Sequence, residues 1–274
     1  MQISYVLLVF LFIISLFNIG EKIYNKLNVN HFFVAGGLLL SLVCLSIPDI
    51  LLNNISFSVS KGKIFGLLGR NGAGKSTIFR IILNIFGPES GSVLYNGKKI
   101  NHSTTDKIGY LPEEGSLIPS YTVLEQFIYY GLLKSMSEEE VRKQALYWLE
   151  RFNILEYADR KIKELSKGNR QKVQFIIAVL HNPELLILDE PFSGLDPISV
   201  EEFKKMVLEQ KEQGKIIIFS SHRMEHVEKL CDDIIIMDKG NEILKGNLQD
   251  IKAKYGNKEL NEIFIEKVGA TYEE

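Results

Sequence analysis

Apolar positions change their spacing along the chain, and each spacing predicts a different kind of element. In residues 1–50 they are nearly continuous, in the runs "SYVLLVFLFIISLFNIG" and "VAGGLLLSLVCLSIPDI". From about residue 51 they break into short runs. "ISFSVSKGKIFGLLG" predicts two short strands joined by a turn at Lys61 and Gly62. "TIFRIILNIFG" places Ile78, Ile81, Ile82, Ile85 and Phe86 on one helix face, which Gly87 and Pro88 would end. "GSVLYNGKKI" predicts a hairpin about Asn96 and Gly97, and "KIGYLP" a further strand.

A helical block follows. Thr122 and Glu125 have the spacing of a capping box, and Ser137 and Glu140 repeat it. On the second of these helices Val141, Ala145, Trp148, Leu149 and Phe152 share a face, which reads as packing. Then helices ("QKVQFIIAVL", "ISVEEFKKMVLEQKEQG") alternate with fully apolar strands ("LLILDE", "KIIIFSSH"). Apolar strands between helices predict an α/β protein with a buried, mostly parallel sheet.

The 274 residues carry a formal net charge of −2, so nothing suggests nucleic acid as a partner. Charge is unevenly spread. Residues 1–50 hold only Glu21, Lys22, Lys26 and Asp49, leaving 62 of 66 charges to the rest. Cys44 and Cys231 make no disulfide framework, which fits a reducing compartment.

The chemistry lies beyond residue 60. "GRNGAGKST", spanning Gly69, Arg70, Asn71, Gly72, Ala73, Gly74, Lys75, Ser76 and Thr77, fits G-x-x-x-x-G-K-[ST] between an apolar strand and an amphipathic helix. Such a loop turns backbone N–H groups and a helix N-terminus toward phosphate oxygens. Lys75 is expected on the β- and γ-phosphates and Ser76 on Mg²⁺. "LLILDEP" ends a buried strand in two carboxylates. Asp189 is expected to hold Mg²⁺, and Glu190 to act as general base on the attacking water.

"LSKGN" (Leu165, Ser166, Lys167, Gly168 and Asn169), with a helix expected from near Arg170, then "LDEP", "SGLDP" and "SSH" with His222 follow in order. As a set with the phosphate loop, they resemble the ATP-binding cassette of ABC transporters over about residues 51–266. "LPEE", "LSKGN" and "NEIFIEKVGA" resemble the bacterial export branch that includes sodium-extrusion types.

The resemblance implies a P-loop NTPase core with an antiparallel β-subdomain and a helical subdomain at about 114–165, the cassette filling 51–274. It implies an ATPase that uses ATP and Mg²⁺ at the cytoplasmic face of the cell membrane. The partners would be a second copy, closing head-to-tail on two ATP molecules, and an integral membrane permease met through the block 122–164. Leu165–Asn169 would contact the partner's ATP, and His222 the γ-phosphate. His226, four residues on, is expected at the surface. Glu113 stands where members carry Gln; its carboxylate is expected to ligate the metal. Two other readings stay open: a non-transport ABC ATPase, and an ATP-binding subunit with impaired catalysis.

Members open with a strand and an adenine-stacking aromatic, but no aromatic lies between Phe33 and Phe57. Residues 1–50 then read as one or two membrane helices, or as a displaced head from an altered gene start; a soluble core element is a third reading. Residues 32–47 would span about 24 Å as a helix, short of a roughly 30 Å hydrocarbon core. The flanking Lys and Arg give no positive-inside support.

Overall fold

The structure, a computed structural model, describes residues 52–113 and 115–269. The expectations for residues 1–50 lie outside them. Among the described residues no helix is long and apolar enough to cross a membrane.

Among the described residues a six-stranded sheet organises the fold. In space it runs β4 (Ile108–Leu111), β5 (Leu185–Asp189), β6 (Ile216–Ser221), β1 (Ile64–Gly69), β7 (Asp233–Asp238), β8 (Asn241–Asn247). Five strands are parallel; β8 returns antiparallel to β7. Successive side chains on a strand point to opposite faces. Ile64, Leu68, Leu188, Phe219 and Ile236 therefore join one core layer, while Phe65, Leu67, Ile187, Ile218 and Met237 join the other. Both faces are buried, so these strands read as unbroken apolar runs.

The second layer is covered by α1 (Lys75–Ile82) through Ile78, Phe79 and Ile82. A two-stranded hairpin, β2 (Leu94–Tyr95) and β3 (Lys98–Lys99), lies apart from the main sheet. It turns on Asn96 and Gly97 in left-handed backbone, as the Asn-Gly pair predicts. A short helix, α2 (His102–Thr105), leads to β4.

The first layer meets the helical block α3 (Val123–Leu133), α4 (Glu138–Arg151) and α5 (Lys167–Val179), then α6 (Pro197–Glu212) and α7 (Met224–Leu230). Phe175 of α5 packs on Phe152 at 5.7 Å and on Phe203 of α6 at 5.3 Å between ring centroids. Both capping boxes form: Thr122 and Glu125 start α3, Ser137 and Glu140 start α4. Val141, Ala145, Trp148, Leu149 and Phe152 are all buried, as their spacing predicts. The described residues end with α8 (Leu248–Lys254) and α9 (Leu260–Gly269).

Two expectations need correction. Helix α1 stops at Ile82, not at Phe86. Asn84 adopts φ 57°, its N–H donates to the Ile81 carbonyl, and Ile85 N–H donates to the Arg80 carbonyl. This is a Schellman stop with asparagine in the left-handed position. It leaves Ile85 and Phe86 exposed rather than on the buried face.

The stretch Ile55–Ser60 alternates half-buried and exposed residues as read, yet joins no ladder among the described residues. Alternation reports which side chains are covered; pairing needs a neighbouring strand as well. Ile55, Phe57 and Val59 pack on the second layer, and Asn53 alone bridges to Asn241.

Candidate active site

The carboxyl ends of β1, β5 and β6 lie side by side and carry the candidate residues, where open α/β sheets place their ligands. β1 ends at Gly69, where an added Cβ would sit 2.6 Å from the Met237 carbonyl, so only glycine lets the loop leave there. At the other end Gly74 is the N-cap of α1 with φ 105°, with no side-chain cap and no acidic residue in the first turn. The first N–H groups of α1 are thus left for an anion. Lys75 is buried, and its Nζ folds back to donate to the Gly69 carbonyl at 2.8 Å and the Arg70 carbonyl at 3.3 Å.

Asp189 ends β5 and is buried. Its Oδ2 accepts from Ser76 Oγ at 3.0 Å, and its Oδ1 accepts from Ser220 Oγ at 2.5 Å. Glu190 follows with φ 48°, a left-handed backbone that a non-glycine residue adopts at some cost and that recurs at functional sites. Its Oε2 lies 2.9 Å from His222 Nδ1, and its Oε1 lies 3.8 Å from Lys75 Nζ. Glu190 Oε1 is buried and makes no hydrogen bond among the described residues. Nearby, burial pushes the Tyr110 phenol up to about 12, and the Asp189 carboxylate adds to the shift.

Lys75, Ser76, Asp189, Glu190 and His222 are therefore brought together. The oxygens of Ser76 and Asp189 are hard donors that suit Mg²⁺. Among the described residues no group of three or more His, Cys, Asp or Glu could hold a metal ion. A site that completes its shell with phosphate oxygens and water is the Mg²⁺ pattern, and the residues fit it.

The family model described as "ABC transporter" matches residues 52–193. A relative from Bacillus subtilis (strain 168), "Uncharacterized ABC transporter ATP-binding protein YhaQ", is 50% identical over 208 residues, 76% of this chain and 70% of the relative. The chain belongs to the ABC transporter family, as an ATP-binding subunit. "Linearmycin resistance ATP-binding protein LnrL" of the same organism is 36% identical over 81% of this chain and 72% of its own. A solved "Structure of ATP binding subunit of ABC transporter" superimposes with TM-score 0.73 at 31% identity, covering 79% of this chain and 92% of that one. ABC ATPases bind ATP, generally with Mg²⁺, and work as dimers with a membrane permease.

The remaining sequence-derived residues of this ABC ATPase sit on other elements. Helix α5 begins at Lys167, earlier than the expected Arg170, because Ser166 caps it by accepting from Asn169 N–H at 3.2 Å. Leu165 is buried beneath the cap. Gly168 and Asn169 are half-buried, and Lys167 is exposed. The Lys167 side chain lies over Gly194, its Nζ 2.5 Å from where a Cβ would stand. Glu113 is exposed after β4, and its charge reaches Tyr110.

His226 is not at the surface as expected. It is buried against Phe192, with ring centroids 4.7 Å apart, and burial lowers its pKa to about 4. Cys231 is a free, buried thiol.

Two residues at the site went unread in the sequence. Gln171 Nε2 donates to the Pro191 carbonyl at 3.1 Å, tying α5 to the turn after Glu190. Ser220 touches both Asp189 and Glu190. Its one sequence signal is place: two residues before His222 at a strand end.

Proposed function

We propose that this subunit binds Mg²⁺-ATP at Gly69–Thr77 and hydrolyses it in a head-to-tail dimer that drives an export permease. The observation that carries the reading is the convergence of Lys75, Ser76, Asp189, Glu190 and His222 on one point. Lys75 exchanges its two carbonyl acceptors for β- and γ-phosphate oxygens, and the N–H groups of Gly74–Thr77 hold the same phosphates. Ser76 and Asp189, joined by Glu113, would hold Mg²⁺, which when bound neutralises charge on the phosphate oxygens.

Glu190 takes a proton from water as the water oxygen attacks the γ-phosphorus. The bond from that phosphorus to the β–γ bridging oxygen breaks, and ADP leaves with the electron pair. His222 orients Glu190 through Nδ1, which leaves its other ring nitrogen for the γ-phosphate.

Leu165, Ser166, Lys167, Gly168 and Asn169 present the N-terminus of α5 to ATP held by the second copy. Lys167 lies on Gly194, so the same closure would reach the turn behind Glu190. The exposed aromatic and apolar side chains of α3, Tyr129, Leu132 and Leu133, offer the permease a surface at the cytoplasmic face of the membrane. The resistance-protein relative supports export.

Equilibrium ATP binding to Lys75→Ala tests the site. Affinity should fall at least about 100-fold, since the variant loses charge-assisted hydrogen bonds worth roughly 1.5–3 kcal/mol each. Unchanged affinity would remove Lys75 from its role. Stoichiometric co-purification of a multi-helix membrane protein supports the permease; ribosomes or DNA instead would favour a non-transport ATPase.

A further inference from the structure

Ser220 is fully buried at the end of β6, and the parallel register sets it directly beside Asp189. Its single hydroxyl serves both carboxylate residues. Oγ donates to Asp189 Oδ1 at 2.5 Å and accepts the Glu190 N–H at 3.0 Å. The first bond fixes the rotation of the Asp189 carboxylate, leaving Oδ2 turned to Ser76 of the phosphate loop. The second anchors the N–H of the residue with left-handed backbone. Ser221, one residue on, faces elsewhere and accepts from Arg223 N–H at 3.0 Å, shaping the turn that holds His222.

We propose that Ser220 is a positioning residue for ATP hydrolysis: its hydroxyl bridges Asp189 and Glu190 and presents the metal-side carboxylate and the general base in one fixed register. The proposal rests on the roles given to Asp189 and Glu190 above. Ser220 touches neither nucleotide nor metal; it acts through the two residues that would. Without the hydroxyl, Asp189 Oδ1 loses its donor and Glu190 N–H its acceptor, both out of reach of water. The carboxylate can then rotate, and the backbone at Glu190 can leave its left-handed state.

The test compares wild type with Ser220→Ala, Ser220→Cys and Ser220→Thr in the full chain. Three readouts are taken: melting temperature, kcat and KM for ATP, and Mn²⁺ affinity in the presence of ADP by electron paramagnetic resonance, which needs no turnover. Ser220→Ala should lower kcat and weaken Mn²⁺ binding by about 10- to 100-fold, the usual effect of removing a partner that orients a metal ligand. KM for ATP should stay within about threefold, because the phosphate loop is untouched. Ser220→Thr, which keeps the hydroxyl, should recover most of both losses.

A merely structural serine would lower the melting temperature alone. If Ser220→Ala leaves kcat and Mn²⁺ affinity within about threefold of wild type, the proposal is overturned whatever happens to melting. Should the alanine variant not fold, Ser220→Cys keeps the volume while weakening the hydrogen bond, and the same threshold decides. Asp189→Asn and Glu190→Gln run in parallel. If they are inactive while Ser220→Ala is unaffected, only the role of Ser220 falls. If they also turn over normally, the reading beneath it falls.

Discussion

Replacing Glu190 by glutamine separates binding from hydrolysis. The side chain is buried, and glutamine keeps its shape, so the packing and the backbone contact to Ser220 survive. What is lost is the negative charge and the capacity to take a proton. A positioned general base contributes about 10²–10⁴ in rate. At 1.36 kcal/mol per tenfold, that is roughly 3–5 kcal/mol of barrier.

Binding should move the other way. Glu190 Oε1 stands 3.8 Å from Lys75 Nζ, an attraction on the order of 4 kcal/mol at an effective dielectric constant near 20. An incoming phosphate has to compete with that anion for the lysine, and its own charge is repelled by the carboxylate. The amide removes both obstacles, so ATP should bind at least as tightly as to wild type, and the ATP-closed dimer should persist.

Single-turnover phosphate release measures the first effect. A fluorescent-nucleotide titration and size-exclusion chromatography with ATP measure the second. Turnover within about fivefold of wild type would refute the general-base assignment. Lost ATP affinity with an intact fold would refute the competition argument.

Stability should also depend on pH through His226, which is packed on Phe192 and faces Arg223, Lys204, Lys229 and Glu225. Its folded pKa is lowered to about 4 from 6.5, so the unfolded chain binds the extra proton first as pH falls. The contribution is fully present above pH 6.5 and is lost on acidification through about 4, on the order of 3 kcal/mol in all. The urea midpoint of wild type should fall relative to that of His226→Leu as pH drops from about 6.5 toward 4, so the two curves separate; parallel curves would exclude His226 as the cause. Base recognition by the described residues should be weak, because one face of the Phe57 ring is already taken by Phe65 at 4.6 Å. Loss of one stacking platform costs about 1–3 kcal/mol, so ATP and GTP should bind within about tenfold of each other. Strong selection for ATP would show that an aromatic holds the base after all.

The sequence disclosed what is contiguous and hid what depends on register. Gly69–Thr77 carries its spacing, its entering strand and its leaving helix in one run, so Lys75 and Ser76 could be picked out as candidates from sequence alone. Asp189 and Glu190 were legible because charge at the end of an apolar strand asks for a reason. The β7–β8 hairpin passed unread, although its apolar run "DIIIMD" forms a buried strand beside β1. Helix α1 was read too long because Ile85 and Phe86 continue its period; one asparagine at φ 57° ends it, and periodicity carries no trace of that angle. His226 was misplaced because a single imidazole does not reveal that Phe192 arrives from another element to cover it.

The same logic explains why core residues fix the chemistry. On β6, Phe219 pairs with Leu188 and both are buried in the first layer, while Ser220 pairs with Asp189 on the face that α1 covers. A strand that slips by one residue sends every side chain to the opposite face. Slippage of β6 would push the Ser220 hydroxyl into the apolar layer and turn the Phe219 ring toward Asp189. It would also move His222 away from Glu190, since that contact depends on where β6 ends. Burying an unpaired hydroxyl costs roughly 1–3 kcal/mol, and forcing a phenylalanine ring into the packed layer beneath α1 costs about a further 1–3 kcal/mol. The apolar side chains that never touch nucleotide therefore set the alignment of three strand ends, and with it the few ångströms between Ser76, Asp189, Glu190 and His222.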